Sequence, residues 1–489
     1  MATKQTFFRK INGYKKLQGL ENKIKEQLVQ IKNGNPTLNL VKPCRVNDGI
    51  SVLTEQEIVA YKDLFTKQIK DKKITFFIPA SGSGSRMFEF LFDFIENTNF
   101  NTPQTIEWIE QFLNNIKSFS FYNKLPQYFK DNIQKGDVDI KSLIKFILFE
   151  EGLNFGALPK GLIPFHLYDK FIINPFQEQI LQGTEIANEK TEFHFTINPT
   201  FEKQINHSIK ILKEITGIDF SYSFSQQHKN THSIAFTTQN KIALDHDGLQ
   251  ILRPAGHGAL IDNLNQIDAD LIFIKNIDNI QHFDKANTAF DTKKALGGLI
   301  LDFQNKVFNL LHQLDANSNW QTEAQSINKK FGLKISPSNI QNKKWVKHYF
   351  NRPIRICGMV KNQGQAGGGP FWVKDDNDEM TIQIIEKSQI NANQISILLH
   401  ATHFNPVDIV CGVKDYKNQK FNLQDFVNPK LYFIVEKNEK GQAIKYVEKP
   451  GLWNGGMYNW LTVFYEIDSA CFSPVKTVLD LLKPLHIQD

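Results

Sequence analysis

Short apolar runs alternate along the chain with longer stretches in which apolar residues recur every three to four positions. Residues 74–79 and 271–274 form apolar segments of strand length, and two further strand-like segments, 193–197 and 220–225, flank a stretch with helical spacing. Apolar strands with little polar alternation are typical of a sheet covered on both faces. A strand, a helix and a strand in succession favour parallel pairing. We therefore expect an α/β fold with a doubly wound, mostly parallel, Rossmann-like sheet.

Helical patterns extend beyond this sheet. They divide the chain into a helical N-terminal extension (1–72), an α/β domain (73–465) with a helical insert at about 97–156, and a C-terminal tail (466–489). A capping-box sequence in the extension begins at Thr54 and predicts a helix start. One predicted helix face of the extension is formed by Leu20, Ile24, Leu28 and Ile31. The insert either covers the mouth of the sheet and selects a substrate or only packs against it.

The composition is that of a globular protein with a large core. Of the 489 residues, 41% are hydrophobic and 22% are charged, and the net charge of +6 is spread along the chain. This even spread argues against a nucleic-acid partner. The four cysteines form no CxxC pair, so we expect neither a zinc site nor a disulfide framework. Without an apolar signal core or a run of bilayer length, we expect a cytoplasmic protein with no membrane partner.

A small-residue loop follows the apolar run 74–79 and precedes a stretch with helical spacing. The loop reads Ala80, Ser81, Gly82, Ser83, Gly84, Ser85 and Arg86. A helix start has backbone N–H groups without partners, and the two glycines permit a ligand to approach them. These donors and the Arg86 guanidinium favour an anion such as a phosphate chain. A plain Gly/Ser turn is the alternative, and the absence of Gly-Lys-Ser/Thr excludes a P-loop.

The loop resembles the signature of the nucleotide-diphospho-sugar transferases, Ala-Gly-Gly-any-Gly-Thr-Arg. The chain departs from this pattern with Ser81 in place of the first glycine and Ser85 in place of threonine. Residues 159–161 read Pro-Lys-Gly and resemble the Pro-Lys-Gly that follows the loop in the UDP-sugar pyrophosphorylase branch. The resemblance implies that Arg86 and Lys160 are catalytic, because positive charge at the loop stabilises the transition state of phosphoryl transfer. A solvent-exposed lysine in a turn is the alternative for Lys160.

A second segment resembles the base-binding part of the same branch. It contains Gly256, His257 and Gly258, and glycines on both sides of a residue permit a close backbone approach to a flat base. The resemblance implies that these three residues bind the nucleotide. It also implies that Gln226, which follows the strand-like segment 220–225, lies near the base.

The expected metal site lies after the apolar run 271–274. Asp278 follows this run at the carboxyl end, where open α/β sheets bind ligands. A carboxylate there suits Mg²⁺, which binds one or two carboxylates together with substrate phosphates. A helix cap is the alternative for Asp278. The resemblance places a further ligand in residues 401–408, where Asn405 and Asp408 are both candidates.

Three further segments resemble the sugar-binding and phosphate-binding parts of the branch. Glu386 occupies the position of a glutamate that faces sugar hydroxyls, and Lys437 and Asn454 match a phosphate-binding lysine and a sugar-pocket asparagine. Gly369 belongs to a glycine-rich loop within residues 351–373 that we expect to approach a sugar or phosphate. A simple hairpin is the alternative for this loop.

The resemblance implies a sheet of the nucleotidyltransferase (GT-A) type and a sugar-1-phosphate nucleotidyltransferase. Such an enzyme joins a nucleoside triphosphate, here expected to be a uridine nucleotide, to a sugar-1-phosphate with Mg²⁺ and releases pyrophosphate. The chain also resembles a bacterial family catalogued as a domain of unknown function. The alternatives are a glycosyltransferase that uses a nucleotide-sugar donor and a non-catalytic nucleotide-sugar-binding protein. The base, the sugar and the oligomeric state stay open at this point.

Overall fold

The protein is described by a computed structural model that covers residues 19–96, 102–169, 171–187, 191–227, 229–364, 367–375, 378–439 and 441–488. Its strands within these residues are, in chain order, β1 (Asn39–Pro43), β2 (Arg45–Val46), β3 (Gly49–Ser51), β4 (Ile74–Pro79), β5 (His166–Tyr168), β6 (Phe171–Ile173), β7 (Glu192–Thr196), β8 (Ser221–Ser225), β9 (Ser233–Ile234), β10 (Phe236–Thr237), β11 (Leu252–Arg253), β12 (Leu271–Lys275), β13 (Ile354–Lys361), β14 (Gly369–Lys374), β15 (Met380–Ile385), β16 (His403–Gly412), β17 (Phe433–Glu439), β18 (Gln442–Glu448) and β19 (Leu461–Glu466).

The α-helices within the same residues are α1 (19–33), α2 (Glu55–Gln68), α3 (Glu89–Glu96), α4 (Pro103–Asn114), α5 (Gln127–Lys135), α6 (Ile140–Leu148), α7 (Pro175–Ile186), α8 (Glu202–Thr216), α9 (Leu260–Leu264), α10 (Asn287–Asp315), α11 (Trp320–Phe331), α12 (Pro337–Gln341), α13 (Lys343–Phe350) and α14 (Ile395–Leu399). No helix in this part of the chain is both long and apolar enough to cross a bilayer.

A nine-stranded sheet forms the centre of the molecule. Its order is β2-β3-β19-β13-β16-β12-β4-β7-β8. Every neighbouring pair runs parallel except the two pairs made by β16, which is antiparallel to both β12 and β13. The predicted parallel pairing of the strands before and after α8 is confirmed, because β7 and β8 lie side by side in that sense. The protein is therefore an α/β protein with a large, mostly parallel sheet.

Both faces of the central strand β4 are buried. Phe76 lies between Phe273 and Phe193 on the neighbouring strands, and its ring centroid is 4.9 Å from the first and 5.4 Å from the second. It belongs to a core that includes residues of α2, α7 and α10. Phe77 points the other way and belongs to a second core that includes residues of α9 and β14. Alternate residues of a strand point to opposite faces, so an uninterrupted apolar run is what two covered faces require.

The N-terminal extension is only partly helical, which corrects the expectation for this region. The helices α1 and α2 agree with it, and the capping box forms, with the Thr54 side chain accepting from the Glu57 backbone N–H at 3.2 Å. Between the two helices lie three short strands. Among them, β3 joins the main sheet beside β19 and β1 pairs with β14. Strands of two to five residues are too short to produce a clear periodic signal. Residues 1–18 of the extension lie outside the described part.

The insert and the C-terminal residues share a third apolar core. Within the insert the structure contains α4, α5 and α6, while residues 97–101 lie outside the described part. Their buried side chains pack with Val475, Val478, Leu479 and Leu481 from the C-terminal end. Residues 468–488, predicted only as a tail, are called the C-terminal strap below because they cross from this core to the end of β12.

Candidate functional site

The loop 80–86, Gln226 and Asp278 follow strands that end at one edge of the sheet. The strands β4, β7, β8 and β12 are parallel, so their carboxyl ends lie together. Because β16 runs the opposite way, with Asp408 paired to Lys275, its beginning lies at this same edge. Ligands of open α/β sheets bind at this edge.

The small-residue loop is held against the Pro-Lys-Gly segment by main-chain hydrogen bonds. Gly84 N–H donates to Leu158 O at 2.9 Å, and Lys160 N–H donates to Gly82 O at 3.1 Å. The loop itself is tightened by the Ser83 hydroxyl, which accepts from the Ser85 backbone N–H at 3.2 Å. The 3₁₀ turn Ser85–Phe88 follows and leads into α3, with Arg86 exposed. The structure thus brings the loop, Arg86 and the Lys160 segment together.

The two glycines of the loop have different roles. A Cβ on Gly84 would collide with the Ile163 side chain and lie 3.0 Å from Leu158 O, whereas a Cβ on Gly82 would meet nothing within 4 Å. The backbone N–H of Gly84 is also used inside the protein. Gly84 therefore serves the close packing of two chain segments, which corrects the expectation that both glycines face a ligand. Gly82 and Ser81 remain exposed on the open side.

Lys160 and Asp278 form an ion pair below the loop. Lys160 Nζ lies 2.8 Å from Asp278 Oδ2 and also donates to Val475 O at 2.8 Å. The side chains are 13% and 12% exposed, so the pair is reached by solvent from one side. Burial by itself raises the pKa of Asp278, but Lys160 and then Lys476 outweigh it and hold this pKa below its ordinary value. Asp278 is therefore ionised and shared between cations.

Lys476 is a site residue that the sequence interpretation missed. It lies in the C-terminal strap, with Nζ 3.5 Å from Asp278 Oδ2 and a side chain that is 63% exposed. The sequence gives only a weak signal for Lys476. Residues 474–477 read Pro-Val-Lys-Thr, so a lysine follows a proline closely, as Lys160 follows Pro159, but the stretch has no clear periodicity. Its position depends on how the strap packs, which no local pattern reveals.

A second cluster contains His257, Glu386, Trp453 and Asn454. His257 Nδ1 accepts from the Leu452 backbone N–H at 3.1 Å, so Nε2 carries the proton and lies 3.3 Å from Glu386 Oε1. The His257 and Trp453 rings stack with centroids 4.4 Å apart. Residues predicted separately for the base and for the sugar are therefore in direct contact.

The Asn454 amide is the most unusual polar group in this cluster. It is 2% exposed, and neither Nδ2 nor Oδ1 has a hydrogen-bond partner among the described residues. Leaving such groups unsatisfied costs about 1 to 3 kcal/mol each, and native structures rarely do so. A ligand with a donor and an acceptor at this position would satisfy both atoms.

The glycines beside His257 fit tightly against the β18 end. Gly256 has φ +71°, and a Cβ there would collide with the Glu448 carboxylate, while a Cβ on Gly258 would collide with Pro450 O. Burial raises the pKa of the Glu448 carboxyl above its ordinary value. His257 and then Lys437 act to lower this pKa, and Glu386 acts to raise it. These glycines therefore serve close packing, and the exposed Lys437 lies at the outer rim of the cluster.

Gln226 is connected to this cluster through α9. The Asn263 side chain of that helix donates to Gln226 O at 3.0 Å and to the Ser225 hydroxyl at 2.8 Å. The helix starts two residues after Gly258. The Gln226 side chain is exposed at the carboxyl end of β8, so it is available to a ligand.

Asn405 lies near the beginning of β16, and Gly369, the first residue of β14, lies beside it. Asn405 N–H donates to Gly368 O at 2.8 Å, and Asn405 Oδ1 accepts from the Val407 N–H at 3.0 Å. Val407 has φ +62°, which is rare for a β-branched residue and marks local strain next to the site. The hairpin alternative for residues 351–373 is wrong, because β13 and β14 belong to different sheets.

Asp408 has a buried cation partner within the chain. Its Oδ2 lies 2.7 Å from Lys293 Nζ on α10, and the two side chains are 2% and 3% exposed. Lys275, its partner in the β12 register, is also buried, and burial lowers the Lys275 pKa to about 7. This arrangement encloses Asp408, whereas Asp278 is open to the edge of the sheet.

Comparison with known proteins places the chain in a family. A model of the family described as "Domain of unknown function (DUF4301)" matches residues 10–487. The chain belongs to the DUF4301 family. No curated protein matches its sequence. Among solved structures it is similar to one described as "The crystal structure of apo- UDP-glucose pyrophosphorylase", with 10% identity over 84% of this chain and 96% of that chain, at a TM-score of 0.30. A TM-score this low supports no conclusion about activity.

The acidic groups of this DUF4301 member give a limited choice of metal ligands. Within the described ranges no three His, Cys, Asp or Glu side chains form a group able to hold a metal ion. Asp278 fits a cation such as Mg²⁺ that takes one protein carboxylate and completes its shell with phosphates and water. Asp408 does not fit, because Lys293 already neutralises it away from solvent.

The arrangement as a whole suits a phosphorylated ligand with a polar ring. Arg86, Lys160 and Lys476 provide positive charge at the loop end, where Asp278 is the carboxylate that holds two of them. The His257 cluster provides a carboxylate, an unsatisfied amide and an aromatic face, which are the groups that bind a sugar or a base.

Proposed function

We propose that the protein is a sugar-1-phosphate nucleotidyltransferase, with a doubly wound sheet of the nucleotidyltransferase type. One observation carries the proposal: the loop 80–86, Lys160, Asp278 and Lys476 meet at the carboxyl edge of the sheet, although they come from distant parts of the chain. A cation-lined loop of this kind suits the phosphates of a nucleoside triphosphate. The resemblance of the loop to the nucleotide-diphospho-sugar transferases adds the reaction class.

In the proposed reaction an oxygen of the sugar-1-phosphate attacks the α-phosphorus of the nucleoside triphosphate. A new P–O bond forms, the bond from the α-phosphorus to the bridging oxygen breaks, and pyrophosphate leaves with that electron pair. Such a step needs little covalent help from the protein, so positioning and charge stabilisation supply most of the catalysis. Arg86 and the exposed side of the loop hold the triphosphate. Lys160 stabilises the negative charge that develops at the reacting phosphorus.

We assign Mg²⁺ to Asp278, where it would neutralise phosphate charge. The ammonium groups of Lys160 and Lys476 already share this carboxylate, so they stand within reach of the same phosphates. Asn405 stays a candidate second ligand, although its side-chain oxygen also accepts the Val407 N–H. Asp408 is left out of the proposed set because of its ion pair with Lys293.

The sugar and the base are assigned to the second cluster. In this assignment the Glu386 carboxylate accepts hydrogen bonds from sugar hydroxyls, the Asn454 amide both accepts and donates, and His257 holds Glu386 in place through its Nε2 proton. Gln226, whose side chain is exposed, is assigned to the base, for which we propose uracil from the branch that the motifs resemble. Lys437 at the rim is assigned to a phosphate.

The test is pyrophosphate release, measured with Mg²⁺ over a grid of nucleoside triphosphates and sugar-1-phosphates. We expect turnover with a uridine nucleotide and at least one sugar, and a large loss in Arg86→Ala, because the exposed guanidinium binds the triphosphate. An Arg45→Ala variant, which removes an exposed arginine on β2, is the matched control. No release across the grid would contradict the proposal. Thermal shifts by nucleotide-sugars in that case would favour the glycosyltransferase or the binding protein.

A further inference from the structure

A chain of buried polar groups connects the C-terminal strap to the body of the protein. Ser473 Oγ lies 2.7 Å from His486 Nε2, His486 Nδ1 lies 3.0 Å from His166 Nε2, and His166 Nδ1 lies 2.8 Å from Glu178 Oε2. Each of these four residues is at most 5% exposed. The two strap residues are thereby linked to β5 and α7.

The positions of the protons in this hydrogen-bond network are assigned from Glu178, the carboxylate at one end of it. The Glu178 carboxylate accepts from Tyr168 OH at 2.9 Å and from Gln182 Nε2 at 3.3 Å. With these donors on the carboxylate, we assign His166 Nδ1–H as a further donor to Glu178 and His166 Nε2 as the acceptor from His486. His486 Nδ1–H then donates to His166, and the Ser473 hydroxyl donates to His486 Nε2. All four nitrogens of the two imidazoles are used in this network. Burial, followed by His166, lowers the His486 pKa to about 3, which agrees with a neutral ring.

The same strap delivers groups to the phosphate end of the site. Ser473 N–H donates to Asn279 Oδ1 at 2.9 Å, and Val475 N–H donates to Asp278 O at 3.0 Å. Val475 O in turn accepts from Lys160 Nζ. The strap backbone therefore runs beside residues 278–279, and Lys476 follows at once.

Lys476 cannot hold itself in this position. Its side chain is mostly exposed and its Nζ lies 3.5 Å from Asp278 Oδ2, and such exposed ion pairs contribute little to holding a side chain in one place. The apolar strap residues 478–481 pack on the insert, and apolar contacts are not directional. A fully satisfied buried hydrogen-bond network does specify one arrangement. The network at Ser473 and His486 therefore holds the strap backbone before Lys476 together with the hydrogen bonds to residues 278–279, while the Lys476 N–H itself donates to Asp480 Oδ2 at 2.7 Å.

We propose that His486 is a positioning residue, which acts through Ser473 to hold Lys476 and Val475 O at the phosphate site. The role rests on the proposed function, in which that site binds the triphosphate. It assigns to the strap a part in substrate binding rather than in stability alone.

The first test measures the strap without any substrate. Lysines of the ligand-free protein are acetylated with acetic anhydride and their rates are read by mass spectrometry. In His486→Leu we expect Lys160 to react several-fold faster, because Val475 O no longer covers it. Lys293, whose side chain is 3% exposed, is the internal reference and stays unreactive while the fold is intact. Unchanged Lys160 reactivity with Lys293 still protected would overturn the proposal.

A second variant keeps this test decisive if His486→Leu does not fold. Ser473→Ala removes one hydroxyl and leaves both imidazoles paired, so it is the milder change. We expect a smaller rise in Lys160 reactivity from it. His486→Gln, whose amide oxygen can accept from Ser473, should restore part of the protection, which a loss of packing alone would not predict.

The second test measures turnover in a double-mutant cycle. His486→Leu and Lys476→Ala should each lower kcat/KM for the triphosphate by about tenfold, and the double variant should lose no more than either single one. Effects that multiply would mean that His486 does not act through Lys476 and would overturn the proposal. If no substrate pair turns over while the acetylation result holds, the proposed function fails and the positioning of the strap stands.

Discussion

Two lysine–aspartate pairs lie at the same edge of the sheet and differ in their surroundings. Lys160–Asp278 and Lys293–Asp408 have nearly equal N–O distances, 2.8 and 2.7 Å. The first pair is 13% and 12% exposed and shares its carboxylate with Lys476. The second is 3% and 2% exposed and is enclosed between α10 and β16.

The difference shows that the burial of an ion pair, and not its N–O distance, decides whether the pair serves ligand binding or stability. In the open pair either partner can turn to water or to a phosphate when its counterion moves away. In the closed pair removal of one partner leaves an uncompensated charge in a medium of low dielectric constant. The open pair is therefore suited to binding, and the closed pair to holding α10 against the sheet.

The largest effect is expected from breaking the closed pair. Lys293→Met should lower the free energy of unfolding by about 3 to 5 kcal/mol, because Asp408 is left buried without the ammonium group that lies 2.7 Å from it. Urea denaturation measures this change. Lys294→Met, which removes the neighbouring surface pair with Glu185, is the matched control and should cost about 1 kcal/mol or less. The double variant Lys293→Met with Asp408→Leu should recover most of the loss. A cost below about 1 kcal/mol for Lys293→Met would contradict the assignment of a closed structural pair.

The open pair should affect activity more than stability. Lys160→Ala is expected to lower kcat by about 10²-fold or more, since it removes a cation from the reacting phosphate. The change in unfolding free energy should be no more than about 1 to 2 kcal/mol, since Lys476 and solvent still stabilise Asp278. Steady-state kinetics with urea denaturation on the same samples separate the two effects. A kcat loss below about tenfold in a folded variant would remove Lys160 from the catalytic set.

Lys476 sharpens the comparison because it is the most exposed of these lysines. Lys476→Ala should lower kcat/KM for the triphosphate by about tenfold and change the unfolding free energy by less than about 0.5 kcal/mol. Lys361→Ala, another exposed lysine near the same edge, serves as the control and should leave kcat/KM nearly unchanged. Equal losses in both variants would point to a general charge effect instead of a specific contact.

Salt should produce the smallest difference. Between 0.1 and 1 M salt the Debye length falls from about 10 to about 3 Å, which screens exposed charges and leaves buried pairs nearly unaffected. The kinetic difference between the wild type and Lys476→Ala should therefore shrink. The stability difference between the wild type and Lys293→Met should stay constant. A salt-dependent Lys293→Met deficit would mean that water reaches the closed pair.

Sequence analysis could predict the elements whose signals are local. The parallel strands β7 and β8 around α8 were predicted from a strand-like segment, a helical period and a second strand-like segment, all within about 35 residues. The α2 start was predicted from the capping box. The loop 80–86 and Lys160 could be proposed because they resemble motifs of the nucleotide-diphospho-sugar transferases, and the structure places them side by side.

The missed features depend on contacts between distant parts of the chain. Lys293 lies inside a long helix, where it looks like any surface lysine, and its partner Asp408 is 115 residues away. Asp408 was therefore read as a metal candidate. Gly84 looked like a ligand-facing glycine because Ile163, which packs against it, comes after the insert. The polar network of the strap, which involves His166 and His486, spans 320 residues and leaves no local pattern.

The strap is synthesised after the sheet strands, so the site can be completed only after the sheet. Lys160 and Val475 are 315 residues apart in the chain. At about 5 to 20 residues per second, a ribosome needs roughly 15 to 60 s to add that length. The sheet strands from β4 to β19 all emerge before Val475 does, so a nascent chain can build its sheet and still lack Lys476. A product that stops short of the strap would have all the sheet strands but would lack Val475 and Lys476, which complete the site.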